Sequence, residues 1–183
     1  GTIYTLSDLD LATRLSFFLW SSLPDDELLD VATSGKLRDP QVLEAQVRRM
    51  LADDRAETLA TNFGTQWLNL PKLAEITPDP AIFPYASGPG DLRGDFTTEA
   101  SLFMDSIFRG DQSVLRLLDS PYTFVNKRLA LHYGINSVRG DQFRKVKLDD
   151  ASRHGLLGKG AVLMVSAYPN RTSPVLRGAF VLE

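Results

Sequence analysis

The 183-residue chain has no cysteine. That absence removes disulfides, thiolate zinc sites, iron–sulfur ligation, a cysteine nucleophile and the C-x-x-C-H haem attachment signal from these residues. Histidine is nearly as scarce, with only His132 and His154. Neither lies near a G-x-S-x-G turn, which does not occur, so a serine triad has no anchor. The H-E-x-x-H pattern, the EF-hand loop and the G-K-[ST] core of a P-loop are missing too. No apolar run approaches the roughly eighteen residues of a membrane span, so none is expected. No basic start leads into an apolar stretch, so no leader is expected within these residues. The pI of 5.4 stands against nucleic-acid binding, since the basic stretch Arg144, Lys145, Lys147 is too short to offset it.

What is present belongs to an ordinary folded chain, with 43% hydrophobic and 23% charged residues. The net charge of −3 hides a split. Residues 1–120 hold 10 Lys/Arg against 19 Asp/Glu, and residues 121–183 hold 10 against 4. Such asymmetry marks either two portions that attract each other or an anion-binding face.

Apolar residues recur at helical spacing along most of the length. Ser7 is placed to cap a helix whose stripe is Leu11, Leu15, Phe18 and Leu19, ending near Trp20. Ser22, Pro24 and the acids Asp25, Asp26 and Glu27 predict a second start, with Ser22 as the cap and Gly35 as the stop. Asp39-Pro40 repeats the start signal for a third helix. Asp53 or Asp54 opens a fourth, through Leu59, Phe63 and Trp67. Short connections make these antiparallel neighbours. From Asn69 to Gly90, five prolines predict a long irregular connection. Further helices are expected at about 91–108, at 113–118 and from Asn126 to Tyr133, the last closed by Gly134. Residues 122–125 and 143–148 read as a small hairpin. Gly155–Ser166 reads as an apolar helix, and Pro174 starts a last one. The fold class is therefore mainly α, with a bundle-like N-terminal half and an irregular C-terminal part holding at most one β-hairpin.

Metal ligation finds no support in the pattern. Asp25, Asp26 and Glu27 fan around a helix, and Glu99 and Asp105, six apart, diverge. Asp79 with loop carbonyls could take calcium, but nothing selects it. No pair stands out among 23 acids for glycoside hydrolysis. The most suggestive stretch joins Arg153-His154-Gly155 with Arg171-Thr172-Ser173-Pro174 and Arg177. Helix starts offer free N–H groups, and an arginine fork matches a carboxylate or phosphate. Arg171, Thr172, Ser173, Arg177, Arg153, His154 and His132 are thus the candidate ligand-binding residues. The competing explanation is local: Thr172 or Ser173 as an N-cap before Pro174, and His132 near a helix end where carbonyls are free. No catalytic residue is recognisable, so whether the chain is an enzyme stays open.

Several motifs taken together carry a resemblance. They are Leu6-Ser7-Asp8, then Arg14 through Leu29, Gln46 through Leu51, Asn62-Phe63 to Leu68, Tyr122 to Gly134, and Arg171 to Gly178. In this order they resemble an uncharacterised helical domain pair found in large exported cytochrome c proteins of planctomycete type, a domain-of-unknown-function family. The resemblance implies a first domain at 1–135 and, at 136–183, a basic segment that is the truncated start of a second. It also implies an extracytoplasmic, periplasmic or exported location, no cofactor in this chain, and haem c on flanking domains of the same polypeptide as partners. It carries no catalytic residue. The expected role is a non-catalytic scaffold or a ligand- or partner-binding module. The alternative is an enzyme domain acting on an anionic or carbohydrate substrate at the basic C-terminal cluster.

Overall fold

A computed structural model describes residues 5–83 and 91–182. The stretch 84–90, which holds part of the expected proline-rich connection, lies outside the described residues. The chain divides into two compact units, Gly1–Phe63 and Gly64–Glu183. The fold is mainly α, as the periodicity predicts, and the described strands form one two-stranded antiparallel sheet.

The first unit holds α1 (Asp8–Trp20), α2 (Asp26–Thr33) and α3 (Pro40–Ala52). Ser7 caps α1, its hydroxyl oxygen accepting the Asp10 N–H at 3.1 Å. Asp39 caps α3 just before Pro40, as expected. The second start differs from expectation, because the cap of α2 is Asp25 and not Ser22. Asp25 takes the Leu28 N–H at 3.1 Å and also receives the Arg49 guanidinium through two bonds of 2.7 and 3.0 Å. Only a carboxylate at that position can do both, and the tertiary pairing decides between two residues that could each cap a helix. Trp20 is buried beside this pair, its indole N–H donating to the Met50 carbonyl at 2.9 Å. The Arg55 guanidinium lies 3.5 Å over the Trp20 ring. The expected fourth helix is not regular. Asp53 caps a short 3-10 turn, Asp54–Ala56, and Leu59–Gly64 is wound as a π-helix.

The second unit opens with α4 (Thr65–Trp67), in which Trp67 is 57% exposed, and a 3-10 stretch at Leu70–Ala74. Its longest helix is α5 (Arg93–Phe108). Phe96, Ala100, Phe103, Met104 and Ile107 form the buried stripe of α5 at spacings of three and four, with Glu99 in the same stripe. The rest comprises α6 (Arg116–Asp119), β1 (Tyr122–Val125), α7 (Lys127–His132), β2 (Arg144–Lys147), α8 (Gly160–Val165) and α9 (Pro174–Leu182). β1 and β2 pair antiparallel from Tyr122↔Lys147 to Val125↔Arg144. Thr123 and Val125 point inward, and α5 packs against both β1 and α8.

The helix expected from Gly155 begins only at Gly160. Gly155 has φ +64°, and a Cβ there would sit 2.2 Å from the Leu118 carbonyl oxygen. Residues 155–159 are instead a turn pressed onto α6, with Gly155 N–H donating to Ser120 O and Leu156 N–H to Leu117 O. No helix of the described residues is long and apolar enough to cross a membrane.

Candidate functional site

The chemically distinctive part of the second unit lies where α5, β1, α7 and α8 meet. Glu99 on α5 is fully buried there. One of its oxygens accepts the Thr123 hydroxyl from β1, and the other accepts the Tyr133 hydroxyl at 2.6 Å. Tyr133 follows α7 directly, and its oxygen in turn accepts the Gly160 N–H at 2.9 Å. That bond needs a close approach, since a Cβ on Gly160 would lie 2.2 Å from the Phe96 ring and 2.7 Å from the Tyr133 oxygen. Lys159, just before α8, is also buried. Its ammonium donates to the Tyr122 carbonyl at 3.0 Å and stands 4.3 Å from the centre of the Phe103 ring.

Burial sets the electrostatics. Loss of water pushes the Glu99 carboxyl above its ordinary range, against the pull of the two hydroxyl donors and the Lys159 charge. The same loss pulls Lys159 down to about 8, although the Glu99 charge opposes it and the Arg153 charge adds to it. Tyr133 is raised by burial and by the Glu99 charge, so its hydroxyl stays a donor throughout the physiological range. Each polar group at the centre of the cluster therefore has a protein partner.

Two of the candidates read from the sequence border this cluster. The Arg153 guanidinium lies 4.5 Å from the Tyr133 ring centre. His132 packs edge-on against Phe96 at 5.6 Å, and both desolvation and the Arg153 charge pull it below the usual histidine value. Its ring makes no bond to the carbonyls at the end of α7. His154 instead bonds the Leu148 carbonyl at 3.1 Å, just beyond β2. The remaining candidates occupy a different region. Ser173 is the N-cap before Pro174, its oxygen accepting the Leu176 N–H at 3.2 Å. Thr172 is exposed, and Arg171 lies 5.0 Å from the Tyr168 ring within a tight Tyr168–Arg171 bridge. The Arg177 Nε is buried without an acceptor among the described residues.

Glu99, Thr123, Tyr133 and Lys159 are not among the candidate ligand-binding residues expected from the sequence, where Glu99 enters only beside the diverging Asp105. They lie 24, 10 and 26 positions apart, so no spacing motif unites them. The available signal was a carboxylate in register with the apolar stripe of α5, and a lysine between two glycines. Asp79, weighed for calcium, accepts the Ala81 N–H at 2.9 Å within its own turn. Among the described residues no group of three or more acids or histidines is gathered to hold a metal ion.

No curated protein and no solved structure matches the chain. Residues 6–135, well over half the length, match the family described as Protein of unknown function (DUF1592). That span takes in α1 through α7 and ends just past Tyr133, so three members of the buried cluster lie inside it and Lys159 lies beyond. The chain belongs to this DUF1592 family.

Proposed function

We propose that this chain is a non-catalytic scaffold or binding module of a larger exported protein whose flanking domains carry haem c. The observation that supports this reading is the closure of the Glu99 cluster. Catalytic acids and bases must reach a substrate proton through space or a single water. Glu99, Tyr133 and Lys159 instead spend their bonds on Thr123, Gly160, Tyr122 and one another. A cluster so arranged fixes the positions of four elements and leaves the outer surface to do the binding. The haem context and the extracytoplasmic location come from the resemblance of the Ser7–Leu29 and Tyr122–Gly134 motifs to exported haem-bearing relatives.

The deciding experiment is an intact mass and a reduced-haem absorbance spectrum on the native gene product from its own host, recovered from an extracytoplasmic fraction. A product well above 20.3 kDa with covalent haem is expected. A haem-free cytoplasmic product near 20.3 kDa overturns the context. Hydrolytic or oxidative turnover by the isolated chain overturns the non-catalytic role.

A further inference from the structure

We infer that Arg153, laid on the Tyr133 ring with His132 beside it, is a receptor site for a ligand carboxylate. The inference names a ligand class for the binding module proposed above, and it stands on separate observations. Among the described residues Arg153 makes no ion pair, and its guanidinium donates no hydrogen bond to the protein. Most of the other ordered arginines are differently placed: Arg49 holds Asp25, Arg93 holds Asp91, and Arg109 holds Asp105. Yet Arg153 is not a loose surface chain. Its residue is only partly exposed, and its head is supported by an aromatic ring. The hydroxyl of that ring is fixed by its bond to Glu99 and by the Gly160 N–H it accepts. A planar fork of N–H donors held in one orientation, with its donors open, is prepared for a planar two-oxygen acceptor.

The surroundings favour a monoanion. His132 senses the Arg153 charge and is desolvated against Phe96, which keeps it neutral near pH 7. It therefore offers one ring N–H and no second charge. Lys159 donates to the Tyr122 carbonyl, and its charge is met within the cluster by that of Glu99. The nearby exposed acid, Asp150, accepts the Ser152 N–H at 2.9 Å and senses the Arg153 charge without forming an ion pair with it. A single guanidinium balanced by one carboxylate, with the imidazole as a neutral hydrogen-bond partner, suits an acidic sugar or another small organic acid. A phosphate dianion would leave one charge unmatched.

The test is a titration of the whole chain with galacturonate, followed by heteronuclear NMR and calorimetry, with galactose and inorganic phosphate in parallel. Saturable binding of galacturonate is expected, with the largest shifts at Arg153, His132 and Tyr133. Galactose should not bind, and phosphate should bind more weakly. Arg153→Lys keeps the charge but loses the fork and should weaken binding about tenfold, which is about 1.4 kcal/mol. Arg153→Ala should abolish it. Lys145→Ala removes the same unit charge from the β ribbon and should leave binding unchanged. A free glutamate-rich peptide serves as a second source of the same carboxylate, and competition between the two places both at Arg153. Equal loss in Arg153→Ala and Lys145→Ala, or tighter phosphate binding, overturns the site. So does the absence of saturable binding. None of these results alters the mass and haem spectrum, on which the module reading depends.

Discussion

Glu99 accepts two hydroxyl donors inside a protein core, so its replacement separates packing from hydrogen bonding. Glu99→Leu keeps the volume but leaves the Thr123 and Tyr133 hydroxyls without an acceptor. It should destabilise the fold by about 2–6 kcal/mol, at about 1–3 kcal/mol for each buried unsatisfied donor. Glu99→Gln retains an acceptor and should be milder; urea unfolding of the two variants checks the order. The neighbouring lysine governs the alkaline behaviour. The unfolded chain holds the Lys159 proton up to pH 10.5, whereas the folded chain releases it at about 8. Between these values the unfolded state binds more protons, so this group makes the fold more stable as pH rises across that window. Glu99 acts in the opposite sense: its contribution is complete below its unfolded value of 4.5 and is lost as pH rises through the elevated folded value. Lys159→Met should flatten the rise of unfolding free energy between pH 8 and 10.5, read from urea curves at several pH values. An unchanged slope would show that Lys159 keeps its proton in the folded state.

At the scale of elements, the start of α2 concentrates several contacts on one residue. Asp25→Ala removes the cap and the two-bond acceptor of Arg49, which keeps Glu27 and Gln46, and it should cost about 1–2 kcal/mol. Asp25→Asn keeps the cap but not the charge and should recover roughly half of that; thermal melts of the pair decide. The sequence made some of these elements plain and concealed others. Ser7, Asp39 and Asn126 announce their helices because a cap bonds to its own next turn, an interaction written within four residues. The pairing of β2 with 122–125 is legible too, although only β1 alternates in burial, with Thr123 and Val125 inward, while β2 stays largely exposed. Ser22 misled because both it and Asp25 satisfy the local rule, and the choice rests with Arg49, 24 residues away. The leucines of Gly155–Ser166 point to helix from its first residue, but Gly155 and Gly158 are the better signal: their backbone presses against Leu118 and Arg153. The Glu99 cluster was illegible, because four residues on four elements meet only once the chain is folded. The paired position of Arg153 over Tyr133 was hidden in the same way.

For the molecule as a whole, the division at Phe63/Gly64 carries a practical meaning. All four members of the buried cluster, and Arg153 against the Tyr133 ring, belong to the second unit. Residues 64–183 produced alone are therefore expected to unfold cooperatively and to keep the alkaline response of Lys159. Circular dichroism melts at pH 8 and 10 would check both. A fragment without a cooperative transition would mean that the second unit needs the first to fold. The acidic and basic halves read from composition do not coincide with this boundary, because the basic surplus begins only after residue 120.

The two tryptophans fall one to each unit, and their surroundings could hardly differ more. Trp20 is shut away beneath the Arg55 guanidinium with its N–H bonded, whereas Trp67 is largely exposed to solvent. The protein thereby carries a built-in pair of optical reporters. Dissolved iodide should dim the red-shifted emission of Trp67 and spare the bluer light of Trp20, so one cuvette distinguishes loosening of the first unit from events in the second.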